Sequence, residues 1–311
     1  MLIFGASAQT VGNSYIPQNR ITISHDNDFL KLKNQTDNYY SFGFFLGYHR
    51  AIKPTSALAR WTPRRMQQNR KLIAGLEVVQ KGFTPGTRTT NDPMKTDRPF
   101  AGLLTVNPYI LSVNEKQLLR LRLQLGVRGP ASQAGNIQNY LHRVIGDKFI
   151  PGWDNQLDNK VLANVYMSYV KSIRPAKPVE FLMASDAGLG NSRTFLKQGI
   201  WLRIGRFNSL NNSNLFGTNI GKGSHRKQME FYFTTGIYGA MVWVDASLDS
   251  NDARKKRLFN IREDNFISGF DLTTHMQICR FDLQAGYHNA SVAAEGIGRH
   301  SYGSLGLAYR W

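Results

Sequence analysis

The chain has 311 residues, a formal net charge of +18 at pH 7 and 41% hydrophobic residues. Its one cysteine, Cys279, excludes an internal disulfide, and no apolar run reaches the roughly 18 residues of a membrane-spanning helix. The excess of Lys and Arg indicates an acidic partner such as nucleic acid, anionic lipid or a polyphosphorylated ligand, or else a generally basic surface.

The first residues predict a shortened export signal. Residues 2–4 (Leu-Ile-Phe) are a short apolar segment, and residues 6–8 (Ala-Ser-Ala) fit a small-residue cleavage site before Gln9. We therefore expect residues 1–8 to be a residual signal peptide and residues 9–311 to form a single domain. An ordinary disordered N-terminus is the alternative.

Apolar and polar residues alternate along most of the chain, as in strands whose two faces meet different surroundings. The segment from Gln117 to Arg128 shows this most clearly, because every second residue from Leu119 onward is Leu or Val. The pattern predicts about twelve strands, at residues 20–30, 40–48, 71–80, 100–113, 117–128, 162–173, 179–190, 198–207, 229–244, 266–278, 281–292 and 301–311.

The length and number of these strands favour a membrane barrel over a soluble sandwich. A tilted strand needs about ten residues to cross a bilayer, and outer-membrane barrels have an even number of strands with alternating short and long connections. Residues 301–311 also end in Tyr309 and Trp311 on one face, which resembles the assembly signal of outer-membrane proteins. We predict an all-β fold: a transmembrane antiparallel up-and-down β-barrel in the outer membrane, with a short helix in an outer loop.

The most distinctive loop lies within residues 126–158. It breaks at Gly129-Pro130, continues as a helix-like run and leaves through residues 151–153 (Pro-Gly-Trp). The run contains His142, and a histidine on a polar loop of a rigid scaffold is a candidate for proton transfer. An equally weighted alternative is that His142 only caps or packs against its own helix.

A periplasmic N-terminus makes the loops near residues 31–38, 84–97 and 129–159 extracellular. Asn27 and Asp28 then lie at the outer end of the first strand, and Ser41 lies at the outer start of the second. By alternation, Asp28 and Ser41 point into the lumen, whereas Asn27 falls on the lipid-facing side. An ordinary strand-end turn is the alternative for the Asn-Asp pair.

Four segments together resemble one known family. They are Asn27-Asp28, residues 40–48 (Tyr-Ser-Phe-Gly-Phe-Phe-Leu-Gly-Tyr), residues 97–100 (Asp-Arg-Pro-Phe) and residues 126–158. Their order and spacing are similar to those of the outer-membrane lipid A 3′-O-deacylase family. The resemblance extends from about residue 21 to residue 159, and the later strands match only in pattern.

The resemblance implies a calcium-dependent enzyme that hydrolyses the 3′ acyloxyacyl ester of lipid A in lipopolysaccharide. It implies that Asn27 and Asp28 act at the metal, that Ser41 supplies a hydroxyl, and that His142 is the essential histidine. The family's acidic residue after the histidine aligns with Lys148, so the adjacent Asp147 is the candidate carboxylate. We expect a monomer that acts in the outer membrane and does not bind nucleic acid.

These residue types suit ester hydrolysis. A neutral histidine can take a proton from water, and Ca²⁺ prefers the carboxylate and amide oxygens that Asp28 and Asn27 offer. Such a cation polarises an ester carbonyl. No G-x-S-x-G motif is present, so the sequence does not indicate a nucleophilic serine.

Basic residues are candidates for binding the substrate's phosphates, because Arg forms bidentate bonds with phosphate oxygens. The loop candidates are Arg88, Lys95 and Lys148, with Lys81 nearby. Arginines on the lumen side of the strands are further candidates, or they fill the barrel by pairing with carboxylates: Arg120, Arg122, Arg128, Arg203 and Arg310.

Two other classes of protein stay open from the residues alone. One is a non-enzymatic outer-membrane barrel that acts as a pore or an adhesin. The other is a soluble nucleic-acid-binding protein, which only the net charge suggests.

Overall fold

A computed structural model describes residues 16–28, 39–53, 55–57, 60, 70–87, 92, 95–176, 178–224, 229–248, 265–291 and 298–311. The expected signal segment 1–8, the loop 31–38 and Arg88 lie outside these residues, and so does most of the predicted loop 84–97 between residues 88 and 94.

Within the described part of the chain, twelve antiparallel strands form one closed barrel. Each strand pairs with its neighbours in sequence, and the first pairs with the last. The strands are β1 Asn19–Asn27, β2 Tyr39–Ile52, β3 Lys71–Thr84, β4 Ala101–Val113, β5 Gln117–Arg128, β6 Lys160–Ala176, β7 Val179–Gly190, β8 Arg193–Arg206, β9 Glu230–Asp245, β10 Phe266–Ile278, β11 Phe281–Ser291 and β12 Arg299–Arg310.

Closure is made by β1 and β12, in a register that opposes Arg20 to Arg310 and Asn27 to Gly303. A closed barrel satisfies every backbone group between strands, which is what a sheet needs in lipid. We call the end that holds Asn19 and Arg310 the termini end. The opposite end, where the connection from β5 to β6 lies, is the helix end.

The outward face carries the apolar residues of the alternating pattern. On β5, Leu123 and Leu125 are 41% and 49% exposed, whereas Arg122 and Gln124 line the lumen. The same outward exposure recurs around the wall, at Ile21, Ile23, Leu46, Tyr48, Val106, Val165, Met183, Ile200, Phe233, Leu272, Leu283, Leu305 and Leu307. So many exposed apolar side chains would be unfavourable in water. This face of the barrel is therefore surrounded by the hydrocarbon of a bilayer. The described helices include none long and apolar enough to span a membrane.

The connection from β8 to β9 departs from the predicted alternation of loop lengths. It lies at the termini end, where short turns are expected, yet it is long and contains two 3₁₀ turns, Leu210–Asn212 and Asn214–Phe216. Leu210 and Ile220 are fully buried and pack against inward residues of the wall such as Leu111 and Val170. Residues 208–224 therefore fill the lumen at the termini end, and we call them the plug.

Ion pairs hold the lumen side of the wall around the plug. Arg203 pairs with Glu180, and both side chains are fully buried. The Asp282 carboxylate forms ion pairs with Arg20 at 3.1 Å and with Arg310 at 3.3 Å. It also accepts a hydrogen bond from the side-chain amide of Asn219 in the plug, at 3.0 Å. Arg203 and Arg310 are thus structural groups of the barrel interior, in line with the barrel-filling alternative.

The three other arginines predicted to face the lumen are also held by the barrel, namely Arg120, Arg122 and Arg128. The Arg120 guanidinium lies 4.9 Å from the centre of the Tyr109 ring, and Arg122 is 3.7 Å from Glu77. Arg128 is fully buried and donates to the carbonyl oxygens of Asp158 and Ala246, at 3.1 and 3.0 Å. Since desolvated cations need such partners, these arginines stabilise the wall.

Candidate functional site

The helix α1, Ala134–Ile145, packs against the outside of the barrel at the helix end. Gly129 and Gly146 have φ of 95° and 76°, conformations that favour glycine. Gly129 follows the end of β5, and Gly146 ends the helix. Gly102 of the wall lets the helix approach closely, and Gly82 leaves room for the Phe42 ring, which packs against the start of the helix. A Cβ at Gly102 would collide with Ser132 and Ala134, and a Cβ at Gly82 would collide with the Phe42 ring.

An apolar cluster and two hydrogen bonds hold the helix in place. Phe42 and Phe100 of the wall side pack with Ala134, the first residue of α1, and with Ile150 and Trp153 beyond its end. Gln80 of β3 donates to the Ser132 carbonyl at 2.7 Å, and the Trp153 indole donates to Gln138 at 2.9 Å. The face of α1 that holds Gln138 is therefore fixed against the outer surface of β2, β3 and β4.

His142 lies on this same face, four residues after Gln138, and the two side chains are only 6% and 3% exposed. Its Nδ1 is 2.8 Å from the Lys148 carbonyl oxygen and 3.5 Å from the nearer carboxylate oxygen of Asp147. A carbonyl can only accept, so Nδ1 carries the proton of the neutral ring and Nε2 carries the lone pair.

The closest partner of His142 is thus the Lys148 carbonyl, and the expected partner, the Asp147 carboxylate, lies further away. Asp147 is 41% exposed and uses its Oδ1 to accept from the Lys148 backbone N–H at 2.7 Å. Because that hydrogen bond fixes the turn after α1, Asp147 positions the Lys148 carbonyl, and the carbonyl orients the imidazole. Lys148 acts here through its backbone, while its side chain is exposed.

Ser41 does not face the lumen as the alternation predicts. The pairing of β2 with β3 shifts between Tyr40 and Phe42, so Ser41 is the extra residue of a β-bulge. Tyr40 stays inside and donates to Asp26 at 2.9 Å, whereas Phe42 turns outward to the α1 cluster.

The hydroxyl of Ser41 is 2.6 Å from that of Thr84, and both residues are fully buried. Thr84 shares the outward side of β3 with Gln80 and Gly82, which meet the segment around α1. The bulge therefore moves Ser41 from the lumen side to the helix side of the wall. For the same reason Tyr40 and Phe42 lie on opposite faces of the wall, although regular alternation would place them on one face.

Asn27 and Asp28 follow one another at the helix end of β1. Asn27 opposes Phe42 in the pairing with β2 and lies on the outward side, as the alternation predicts. Its side-chain amide is 3.3 Å from His25 Nε2. Asp28 follows the strand directly and is fully buried. The structure gives β1 as far as Asn27, and the predicted end at Leu30 lies outside the described residues.

The face of α1 that points away from the wall is apolar and exposed. Tyr140, Val144 and Ile145 are 62%, 64% and 71% exposed, and Phe149 just beyond the helix is 62% exposed. This face continues the lipid-facing belt of the barrel. Side chains of this kind at a membrane surface insert into the boundary between headgroups and acyl chains.

We call the contact between the wall side of α1 and the outer surface of β2, β3 and β4 the cleft. The remaining predicted residues lie apart from it or outside the described chain. Lys95 is exposed and pairs with Asp92 at 3.8 Å. Arg98, in the Asp-Arg-Pro-Phe segment, is buried and donates to the Tyr39 carbonyl at 3.1 Å and the Ser247 hydroxyl at 3.1 Å. That segment therefore braces the rim of the barrel.

Three wall residues of the cleft were not predicted, namely Gln80, Gly82 and Thr84. The signal was available in part, because Gln-x-Gly-x-Thr continues the period of two beyond the predicted end of the strand at residue 80. The outward position of α1 had no such local signal.

The fold and this cleft define an outer-membrane barrel whose candidate site lies on the lipid-facing side of the wall, between the wall and a helix. A family model described as "Outer membrane protein LpxR" matches residues 1–311, and the chain belongs to that family. Family membership supports lipid A deacylase activity in the outer membrane.

Solved structures match the chain over most of its length, and the first of them shares its fold. LpxR from Salmonella typhimurium superposes with a TM-score of 0.75 at 18% identity, covering 94% of this chain and 100% of that chain. The β domain of the Bordetella autotransporter BrkA gives a TM-score of 0.47 at 11% identity, covering 94% and 98%. The KdgM porin gives a TM-score of 0.40 at 6% identity, covering 94% of this chain and 99% of that chain. Comparison with curated protein sequences gives no match.

Proposed function

We propose that this protein is a calcium-dependent esterase that removes the 3′-linked acyloxyacyl chain from lipid A, at the cleft between α1 and the outside of the barrel. The observation that carries the proposal is the position of His142. It is buried on the wall side of α1, on the lipid-facing side of the barrel and outside the lumen.

The exposed apolar face of α1 supports a substrate that stays in the bilayer. Tyr140, Val144, Ile145 and Phe149 extend the lipid-facing belt next to the cleft. A lipid diffusing in the outer leaflet would then reach His142 sideways, without entering the lumen. The α1 end is the outer end in this proposal, which agrees with a periplasmic N-terminus.

His142 acts as the general base. Because Nδ1 donates to the Lys148 carbonyl, Nε2 is the atom that takes a proton from water. The resulting hydroxide attacks the ester carbonyl carbon, and the bond from that carbon to the sugar oxygen breaks. The proton on Nε2 passes to the sugar oxygen, which leaves as an alcohol, and the fatty acid is released.

Asn27 and Asp28 are the residues that would hold calcium. Their donor chemistry fits the ion, since Asp28 is a fully buried carboxylate and Asn27 adds an amide oxygen. The described residues include no group of three or more His, Cys, Asp or Glu side chains placed to hold a metal, so these two provide only part of a shell. When bound, the ion supplies positive charge to the carbonyl oxygen of the ester.

Ser41 and the basic residues have secondary roles in this proposal. The Ser41 hydroxyl, bonded to Thr84, lies on the helix side of the wall and orients the attacking water. The exposed side chains of Lys95 and Lys148, together with Arg88, bind the phosphates of lipid A. One barrel carries all of these residues, so a monomer is sufficient.

The plug argues against a passive pore, the alternative function. Residues such as Leu210 and Ile220 fill the lumen at the termini end, where an open channel would need water. Asn219 is bonded to both Gln277 and Asp282, which fixes the plug to the wall.

Mass spectrometry of lipid A before and after incubation with the purified, folded barrel and Ca²⁺ tests the proposal. We expect loss of the mass of the 3′ acyloxyacyl group, with fatty acid in the medium. Unchanged lipid A in the presence of Ca²⁺, from a preparation that shows heat-modifiable gel migration, would overturn the deacylase assignment.

A further inference from the structure

Three neighbouring strands bring a serine, a histidine and an aspartate together inside the barrel. His288 of β11 has its Nδ1 2.8 Å from Asp271 Oδ1 on β10. Its other nitrogen, Nε2, is 2.9 Å from the hydroxyl oxygen of Ser304 on β12. The three residues lie on the lumen side, whereas His142 lies outside the wall.

The chemistry of the partners fixes the direction of both hydrogen bonds. A carboxylate only accepts, so Nδ1 of His288 carries the proton and donates to Asp271. Nε2 is then an acceptor, and the Ser304 hydroxyl donates to it. This is the order of donors and acceptors that activates a serine as a nucleophile, since the histidine can take the hydroxyl proton while the aspartate holds the ring.

The surroundings hold the arrangement and leave room for it. The Trp201 indole donates to the second oxygen of Asp271 at 3.2 Å, and the His288 ring stacks on Tyr302 with centres 4.8 Å apart. Gly286 supplies the space in which the serine and histidine meet. A Cβ there would lie 2.5 Å from Ser304 Oγ and 2.8 Å from His288 Nε2.

Ser304 and His288 line a cavity of about 220 Å³, together with Gln284. A second cavity of about 490 Å³, toward the helix end of the lumen, shares Asp26 and Tyr302 with it. The two cavities are therefore adjacent at Asp26 and Tyr302, and Asn214 of the plug lines the small cavity on its other side. Its size admits a small molecule, whereas a lipid with several acyl chains does not fit.

We propose that Ser304, His288 and Asp271 form a second hydrolytic site, which takes small water-soluble carboxylic esters that enter the lumen from the helix end. Ser304 is the nucleophile, His288 transfers the proton and Asp271 positions the imidazole. Gln284 lines the same cavity with a side-chain amide, the kind of donor that stabilises an oxyanion.

The reaction has two balanced steps. Ser304 Oγ bonds to the ester carbonyl carbon and its proton passes to His288 Nε2. The bond from that carbon to the alkoxy oxygen breaks, and the alkoxy oxygen takes the proton and leaves as an alcohol. Water then attacks the acyl-serine, gives its proton to Nε2 and releases the acid, and the proton returns to Ser304.

Labelling with diisopropyl fluorophosphate tests the site on the full-length folded barrel in detergent. The serine oxygen bonds to phosphorus and fluoride leaves, so intact-mass and peptide mapping locate the adduct. We expect one adduct on Ser304, lost in Ser304→Ala. In His288→Gln we expect labelling slower by about 10² or more, because the general base is lost.

Two matched variants separate activation from mere exposure of the lumen. Ser24 lines the same cavity, and His275 bonds to the hydroxyl of Thr273 at 2.8 Å, so Ser24→Ala and His275→Gln should keep the parent labelling rate. Heat-modifiable migration checks that every variant is folded. The proposal is overturned if the folded parent gains no adduct on Ser304. It is also overturned if folded His288→Gln is labelled at the same rate as the parent.

Hydrolysis of p-nitrophenyl acetate by the same variants provides a second measurement. Turnover should fall with Ser304→Ala and stay at the parent rate with Ser24→Ala, because Ser24 lines the same cavity but has no role in the reaction. Equal turnover in Ser304→Ala and the parent contradicts the lumen site. Lipid A deacylation by Ser304→Ala should equal that of the parent, so a failure of either site is distinguishable from a failure of the other.

Discussion

The two faces of one barrel wall hold histidines in different ways. Outside, His142 sits on a helix added to the wall and is oriented by the Lys148 backbone carbonyl. Inside, His288 belongs to a strand and is oriented by the Asp271 carboxylate. The wall facing lipid must present apolar side chains, so its polar groups are supplied mainly by a loop and a strand end. The lumen can place polar groups directly on the strands.

The largest effect is expected from removing the outer histidine. His142→Gln should reduce lipid A deacylation by about 10² to 10⁴, because glutamine cannot accept the proton from water. The measurement is the rate of fatty acid release. His275→Gln is the control, and parent-level release by folded His142→Gln would refute the base assignment.

Removing the carboxylate at the proposed metal should have the next largest effect. Asp28→Ala should lower deacylation by about 10² to 10³, the usual cost of losing stabilisation of an oxyanion. Added Ca²⁺ should restore it only in part, because the variant lacks a charged ligand. The assay is a Ca²⁺ titration after chelator treatment.

The same titration distinguishes the two faces. Chelation should stop lipid A deacylation and leave labelling of Ser304 unchanged, because no calcium ligand is proposed in the lumen. Asp186→Ala, which alters a carboxylate of the lumen, is the control for charge loss. An Asp28→Ala barrel with a parent-like Ca²⁺ response removes Asp28 from the outer site.

A smaller effect is expected at the membrane-facing surface of α1. Phe149→Ser should raise the KM for lipid A in vesicles about 10-fold, since a large apolar side chain contributes roughly 1.5–3 kcal/mol when it is buried. The kcat should change little. Phe281→Ser, at an exposed phenylalanine of the termini end, is the matched control. Equal KM values for the two variants would show that α1 does not contact the bilayer around the substrate.

The smallest effect is expected at the bond that holds α1. Trp153→Phe removes the donor to Gln138 and should lower deacylation only a few-fold, as one hydrogen bond contributes about 0.5–1.5 kcal/mol. Labelling of Ser304 should be unchanged. If Trp153→Phe slows the lumen reaction as well, the two faces are coupled through the wall.

The period of two in the sequence was sufficient to predict the strands. The predicted strands 117–128, 179–190 and 266–278 have the bounds found in the structure, and the others differ by a few residues at their ends. Alternation is a local property of the backbone, so it is visible without knowing which strands pair. The helix-like run around His142 was also visible as a local pattern, between the breaks at Gly129-Pro130 and residues 151–153.

The sequence by itself determined the number of strands, closure into a membrane barrel and the resemblance that singles out Asn27, Asp28, Ser41 and His142. The tertiary structure decided what these residues face. One extra residue in the pairing of β2 with β3 turned Ser41 outward. A short turn placed the Lys148 carbonyl 2.8 Å from His142, closer than the Asp147 carboxylate at 3.5 Å. The contact of Ser304 with His288 likewise depends on the register of separate strands. Register is set by hydrogen bonds across the sheet, which no local pattern records.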